Sequence, residues 1–289
     1  MSSPSLSPAR ALASVAVRPR KSHGQNFLVQ PAIAARIVAA MGIQPGDTVV
    51  EIGPGLGILS ELLAHKPLRR LCLVETDPRL AARLAQHFTD DSRVEVLHRD
   101  FLATDLFALA AGSPVRVIGN LPFNIAGAIL ERLCGFHSVV TRMVLMFQRE
   151  VAERIRARPG SRAHRALSVF TALYWDVQSY FRVAAGSFHP RPKVDAEVLV
   201  LAPRHTLPFA PEEERAVLAT VRAAFSAPRK TIRNSLAGGL ALDAPAAEAA
   251  LKRAAIDPAV RPSTLLTADF VRLARALGQS ARVGSVRDA

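Results

Sequence analysis

Asn120-Leu121-Pro122-Phe123 follows directly on the apolar run Val115-Arg116-Val117-Ile118-Gly119. That run reads as a buried strand, so the four residues fall at a strand's carboxyl end, where open α/β sheets bind their ligands. Their types suit gripping a flat base that carries an amine. Asn120 offers an amide oxygen as acceptor. Pro122 fixes its own φ and stiffens the loop. Phe123 offers a ring face for stacking. The four residues fit equally well a proline-stopped loop whose Phe joins the core, so they do not decide the matter alone.

A second group lies upstream. Glu51-Ile52-Gly53-Pro54-Gly55-Leu56-Gly57 follows another apolar run and opens a helix-like segment. The spacing is G-x-G-x-G, not the G-x-G-x-x-G of dinucleotide sites. Without a glycine at that last offset the loop better fits a ligand lacking phosphates, such as S-adenosylmethionine. Glu75 ends the next strand-like run, 18 residues past Gly57, near the offset of an acid that grips ribose hydroxyls. At the end of the third run, Asp100 can accept from an adenine amine and Phe101 can cover its face. Taken singly, Glu75 also fits a strand-end ion pair and Asp100 a helix cap or Asx turn. Together, at the ends of three successive strands, they outline a cofactor cleft.

The elements that position these residues alternate. Thr48–Ile52, Leu71–Glu75, Val94–His98, Val115–Gly119 and Met143–Phe147 read as strands. Pro31–Met41, Leu59–Ala64, Arg79–His87 and Ile125–Leu133 carry apolar residues at helical spacing. Alternating strands and helices imply a doubly wound sheet. Two later strands, near Val177–Val183 and Glu197–Leu201, flank Phe188-His189-Pro190-Arg191-Pro192 and read as an antiparallel ending. Three prolines in Pro203–Pro211 mark a boundary. Beyond it the pattern is helical over Glu212–Phe225, Arg229–Leu236, Ala244–Ala254 and Thr267–Leu277, with Asp243 or Ser263 as candidate caps. The expected fold class is α/β: a doubly wound, Rossmann-like sheet with an antiparallel ending, plus a small C-terminal all-α domain. The expected domains are a basic, disordered tail over 1–22, the sheet domain over 23–203 and the helical domain over 204–289.

The chain has 289 residues and a net charge of +13, which points to a polyanionic partner, nucleic acid above all. Three segments each carry a net +4: residues 1–22, 149–165 and 222–233. Such clusters bind phosphate for affinity rather than for sequence reading; they also fit plain solvated faces. Arg149, Arg154, Arg222, Arg229, Lys230 and Arg233 are the candidate RNA contacts. No apolar run reaches the roughly 18 residues of a membrane helix. The two cysteines, Cys72 and Cys134, fall in apolar runs and read as buried small hydrophobes, and no His or Cys spacing suits a metal. A reducing cytoplasm is the expected compartment. The acid-free first 22 residues fit a disordered tail or an organellar transit peptide. No long heptad pattern calls for an oligomer, so a monomer is expected.

The chain resembles the bacterial small-subunit rRNA adenine N6,N6-dimethyltransferase family from about Arg20 to Leu277. The resemblance rests on Gly24-Gln25-Asn26-Phe27-Leu28, Glu51-Ile52-Gly53-Pro54-Gly55, Asn120-Leu121-Pro122-Phe123-Asn124-Ile125, Phe188-His189-Pro190-Arg191-Pro192-Lys193-Val194-Asp195 and Arg229-Lys230-Thr231-Ile232-Arg233-Asn234-Ser235-Leu236. It implies that the sheet over 23–203 is a Rossmann-like S-adenosylmethionine-dependent methyltransferase domain, in which Asn26, Leu28, Gly53, Glu75, Asp100 and Asn120 contact S-adenosylmethionine, while Gly55 and Gly57 shape its loop. It implies two adjacent adenosines in the hairpin near the 3′ end of 16S rRNA, within the immature small subunit, each receiving two methyl groups. Phe123 stands where many relatives carry Tyr, which keeps stacking and removes a hydroxyl. Ala163-His164-Arg165-Ala166-Leu167 replaces a Tyr-Gly-containing turn.

The amine of adenine is a poor nucleophile because its lone pair is delocalised into the ring. Acceptors on its N–H groups draw that pair back onto nitrogen; the Asn120 side-chain oxygen and the Leu121 carbonyl are the candidates. Phe123 would stack on the base. Phe188 would close its other face, or sit in the core before the proline-rich turn. The target must be unpaired or flipped. The alternatives are a large-subunit rRNA or DNA adenine methylase, or a ribosome-assembly or transcription factor without turnover.

Overall fold

The structure, a computed structural model, describes residues 25–284; the basic tail expected over 1–22 lies outside them. In chain order, Phe27–Leu28 is β1, Pro31–Ala40 α1, Thr48–Ile52 β2, Ile58–Ala64 α2, Arg70–Glu75 β3, Pro78–His87 α3 and Val94–His98 β4. Leu106–Ala110 (α4), Val115–Asn120 (β5), Ala126–Cys134 (α5), Val140–Gln148 (β6), Arg149–Ile155 (α6) and Ala166–Tyr174 (α7) follow. Trp175–Val183 (β7), Phe188–His189 (β8) and Ala196–Pro203 (β9) complete the strands. Four further helices are Glu214–Ala224 (α8), Ile232–Leu240 (α9), Ala244–Arg253 (α10) and Thr267–Gly284 (α11).

Seven strands form one sheet in the order β4-β3-β2-β5-β6-β9-β7. Neighbours from β4 through β6 pair in parallel, and β9 runs antiparallel to both β6 and β7. This is the doubly wound sheet with an antiparallel ending that the apolar runs imply. All five residues of β2 are buried, as expected of a parallel strand covered on both faces. Gly119 lets β5 come close to β2: a Cβ there would stand 2.7 Å from the Ile52 carbonyl oxygen. Asp77 caps α3 by accepting the Arg79 N–H, with Pro78 at the first helical position. β1 and β8 form a separate two-stranded antiparallel ladder, Leu28 opposite Phe188.

The chain divides into two compact units, and not at one place. The first comprises the chain up to Ala152 together with Trp175–Pro203; the second comprises Glu153–Tyr174 and everything from Arg204 on. The single cut expected after residue 203 therefore misassigns Glu153–Tyr174. Within the second unit the Tyr174 hydroxyl donates to Glu214 Oε1 at 2.5 Å, and the Tyr174 ring meets Phe209 edge-on. Gly160 N–H donates to the Ser263 carbonyl at 2.7 Å, and His164 Nδ1 lies 3.0 Å from the same oxygen. These partners lie far along the chain, so composition at Pro203–Pro211 could not register the early excursion. Asp243 caps α10 through the Ala246 N–H. Ser263 caps no helix; it lies in a 3₁₀ turn, Pro262–Thr264.

Candidate active site

The carboxyl ends of β2, β3, β4 and β5 surround a cleft of about 630 Å³ in the first unit, and the segment Gln25-Asn26-Phe27-Leu28 contributes to its lining. That volume suits a ligand of nucleoside-conjugate size. Nine of the residues named from the sequence line it: Asn26, Leu28, Gly53, Gly55, Glu75, Asp100, Asn120, Leu121 and Phe123.

Glu75, at the end of β3, is 5% exposed. Its Oε2 accepts the Gly55 N–H at 3.0 Å and its Oε1 the Asp77 N–H at 2.9 Å. The acid thus ties the glycine loop to the start of α3. Burial raises its pKa against the pull of these N–H donors. Gly55 takes a φ of +58°, and a Cβ there would stand 3.0 Å from the Phe27 ring. The loop conformation and the docking of β1 therefore both demand glycine. Gly53 and Gly57 also have left-handed φ angles; Gly57 immediately precedes α2 rather than lining the cleft. Asp100 caps the 3₁₀ turn Phe101–Ala103 with one oxygen, which accepts the Leu102 N–H at 2.9 Å.

Asn120 ends β5, and its Nδ2 donates to the Asn26 carbonyl at 2.9 Å. A carbonyl only accepts, so this contact fixes which way the amide points. Oδ1 is left as an acceptor. The Leu121 N–H is engaged by the Met146 carbonyl at 3.2 Å. Phe123 and Asn124 line the cleft from the turn that follows.

Two expectations fail here. Phe188 is 3% exposed, pairs with Leu28 and packs in the apolar core with residues such as Ile37 and Met41; it does not line the cleft. The β1–β8 ladder turns its ring inward, so it closes no face of a base. Phe101 is likewise 3% exposed and absent from the lining.

Sequence reasoning passed over Glu51, which also lines the cleft. It is 1% exposed, and its Oε2 accepts from the Ser60 hydroxyl at 2.7 Å. Burial pushes its carboxyl up to about 8; the Ser60 bond opposes this and the nearby Glu75 adds to it. The signal was present: an acid inside the otherwise apolar run Val49-Val50-Glu51-Ile52. His98 and Arg99 also line the cleft from the end of β4. Among the described residues no group of three or more His, Cys, Asp or Glu is arranged to hold a metal ion.

The basic residues sort by their surroundings. Arg149 and Arg154 are exposed on α6, and Arg229 and Lys230 are exposed in the turn before α9. Arg222 lies over the Phe170 ring, 5.4 Å from its centroid. Arg233 reaches Glu248 at 3.4 Å.

Comparison with known proteins identifies the site's setting. The profile described as ribosomal RNA adenine dimethylase matches residues 16–277. The chain belongs to this family. It is accordingly an S-adenosylmethionine-dependent rRNA adenine dimethyltransferase. It is similar to the ribosomal RNA small subunit methyltransferase A of Geobacter metallireducens, with 41% identity over 265 residues, 90% of this chain and 96% of the relative. The protein of the same name from Desulforapulum autotrophicum is 42% identical over 261 residues, 89% and 92% of the two chains. Among solved structures, a dimethyladenosine transferase from Plasmodium falciparum shares the fold with a TM-score of 0.72 at 22% identity, covering 88% of this chain and 98% of that one. The 23S rRNA methyltransferase ErmE gives 0.63 at 25% identity, covering 88% and 100%.

Proposed function

We propose that this dimethyltransferase modifies two adjacent adenosines in the 3′-terminal hairpin of 16S rRNA, acting as a monomer on the immature small subunit in the cytoplasm. The names of its similar relatives support the small-subunit target. The exposed Arg149, Arg154, Arg222, Arg229 and Lys230, with the half-exposed Arg233, support contact with rRNA phosphates.

In the cleft, Glu75 takes the donor's ribose hydroxyls and Asp100 its adenine amine. Gly53, Gly55, Asn26 and Leu28 provide the close walls. When bound, S-adenosylmethionine supplies a methyl group made electrophilic by its sulfonium. The chain's own work is on the adenine. Asn120 Oδ1 and the Leu121 carbonyl accept the N–H groups of the amine and return its lone pair to nitrogen. Phe123 stacks on the base, so positioning carries most of the rate. Methyl transfer acidifies the amine, and its proton leaves without a strong base.

The oriented Asn120 amide is the observation that carries this reading. Immature small subunits incubated with protein and S-adenosylmethionine should gain two dimethyladenosines by mass spectrometry. Asn120→Ala should slow methylation by about 10²–10³-fold, the cost of losing one well-placed acceptor, and still bind the subunit. Dimethylation by the variant at the normal rate refutes the role of Asn120. Methylation of another base refutes the target.

A further inference from the structure

β7 forms the outer edge of the seven-stranded sheet, and its pairing is interrupted. Ser179 stands opposite Leu199 and Phe181 opposite Val198, so the register passes over Tyr180. A bulge of this kind re-aims a side chain. Together with the exposed charges of Asp176 and Arg182 on the same strand, it also turns a further strand away from the edge. Tyr180 is left 45% exposed. Its ring is edge-on to that of Phe181, with centroids 5.2 Å apart. Phe181 packs against the apolar core, and the exposed Arg36 of α1 lies over its ring at 3.9 Å. An open aromatic ring, a second ring that fixes it and a guanidinium plane thus stand together on the surface of the first unit.

Register says how far this group lies from the site of methyl transfer. β6 and β7 both run antiparallel to β9, so the carboxyl end of β7 points to the cleft end of the sheet. Asn120 pairs with Met146, Met146 with Val198 and Val198 with Phe181. Phe181 is therefore level with Asn120, three strand spacings or about 14 Å away. A stacked single strand advances about 3.4 Å per nucleotide and an extended one more, so at most about four nucleotides bridge that gap. The substrate is RNA. Unpaired RNA bases are held by stacking on aromatic rings and guanidinium planes. This step rests on the reading that Asn120 holds the target adenine.

We propose that Tyr180 is a stacking platform for an unpaired base of the substrate RNA, within about four nucleotides of a methylated adenosine, with Arg36 giving a cation to the adjoining phosphate. The ring reads no sequence, because every base has a π-face. It touches the substrate away from the reacting atoms. Its effect is on the path of the strand: a base held at the sheet edge fixes the direction in which RNA leaves the cleft.

Methylation kinetics of the full chain on immature small subunits test this. Tyr180→Ala should lower kcat/KM by about fivefold or more, the worth of one stacked base, and the loss should sit in KM rather than kcat. Tyr180→Phe, which keeps the ring and removes the hydroxyl, should restore the wild-type value. Affinity for S-adenosylhomocysteine should be the same in all three proteins. Ultraviolet cross-linking of the wild-type enzyme to the subunit, read by mass spectrometry, should join the peptide bearing Tyr180 to a nucleotide within about four of a methylated adenosine. An unchanged KM in Tyr180→Ala, or a loss that Tyr180→Phe does not restore, overturns the proposal. So does a cross-link from that peptide to a ribosomal protein or to a second copy of the chain in place of RNA. Normal methylation by the wild type with Tyr180→Ala equal to it sinks this inference alone, whereas a wild type that methylates no adenosine of the subunit sinks the reading of Asn120 beneath it.

Discussion

Glu75 in the first unit and Arg229 in the second handle charge by opposite means. Glu75 is 5% exposed and held by short bonds from Gly55 and Asp77. Arg229 is exposed, two residues before the Thr231 cap of α9. A buried carboxylate acts through a few fixed contacts that salt screens little. An exposed guanidinium acts across a Debye length of about 8 Å and is screened readily. In the proposed function, a small cationic donor thus meets preformed acceptors, while a polyanion meets cations on long, exposed side chains. The two recognitions should separate under ionic strength and under mutation.

The largest separation is expected at Glu75. Glu75→Ala removes the anchor of the glycine loop and the proposed ribose acceptor together. Two hydrogen bonds to a charged group correspond to a loss of about 100-fold or more in donor affinity, measured by calorimetry, with RNA affinity changed less than about twofold. An equal loss of RNA binding would erase the contrast between the units. A smaller effect is expected from the pair Arg229→Ala and Lys230→Ala. RNA affinity should fall about tenfold at low salt, and the slope of its logarithm against the logarithm of salt should flatten by one to two. Donor affinity should not change.

The smallest effect concerns pH and stability. The folded pKa of Glu51, about 8, lies above its ordinary 4.5. The stability tied to its proton is complete below pH about 4.5 and is lost as pH rises toward 8, because the unfolded chain ionises first. Glu51→Gln cannot ionise. Without donor, its melting temperature should therefore gain on the wild type by a few degrees as pH goes from about 5 to 8. A constant gap across that range would mean that burial does not raise the Glu51 carboxyl.

The sheet was legible because buried parallel strands are continuous apolar runs, and Val49-Val50 or Leu71-Cys72-Leu73-Val74 can hardly be anything else. The Gly53–Gly57 loop, Glu75, Asp100 and Asn120 were legible because each stands at a strand's end. Phe188 was not. Its burial depends on pairing with Leu28, a two-residue ladder too short to leave a pattern. Glu153–Tyr174 was assigned to the wrong unit because its partners, Glu214 and Ser263 among them, are distant in sequence. Asn26 acts on Asn120 through its backbone carbonyl, a group every residue possesses; only family resemblance brought that segment forward.

The bond from Asn120 to that carbonyl makes the sense of the amide answerable to a short strap, residues 26–28. Without it the amide could turn over and present donor or acceptor alike. The proposed selectivity for an amine thus depends on the same strap whose Phe27 ring rests against the glycine turn. A loosened strap would leave an enzyme with every expected side chain present and no fixed sense of which hydrogen-bonding edge to grasp.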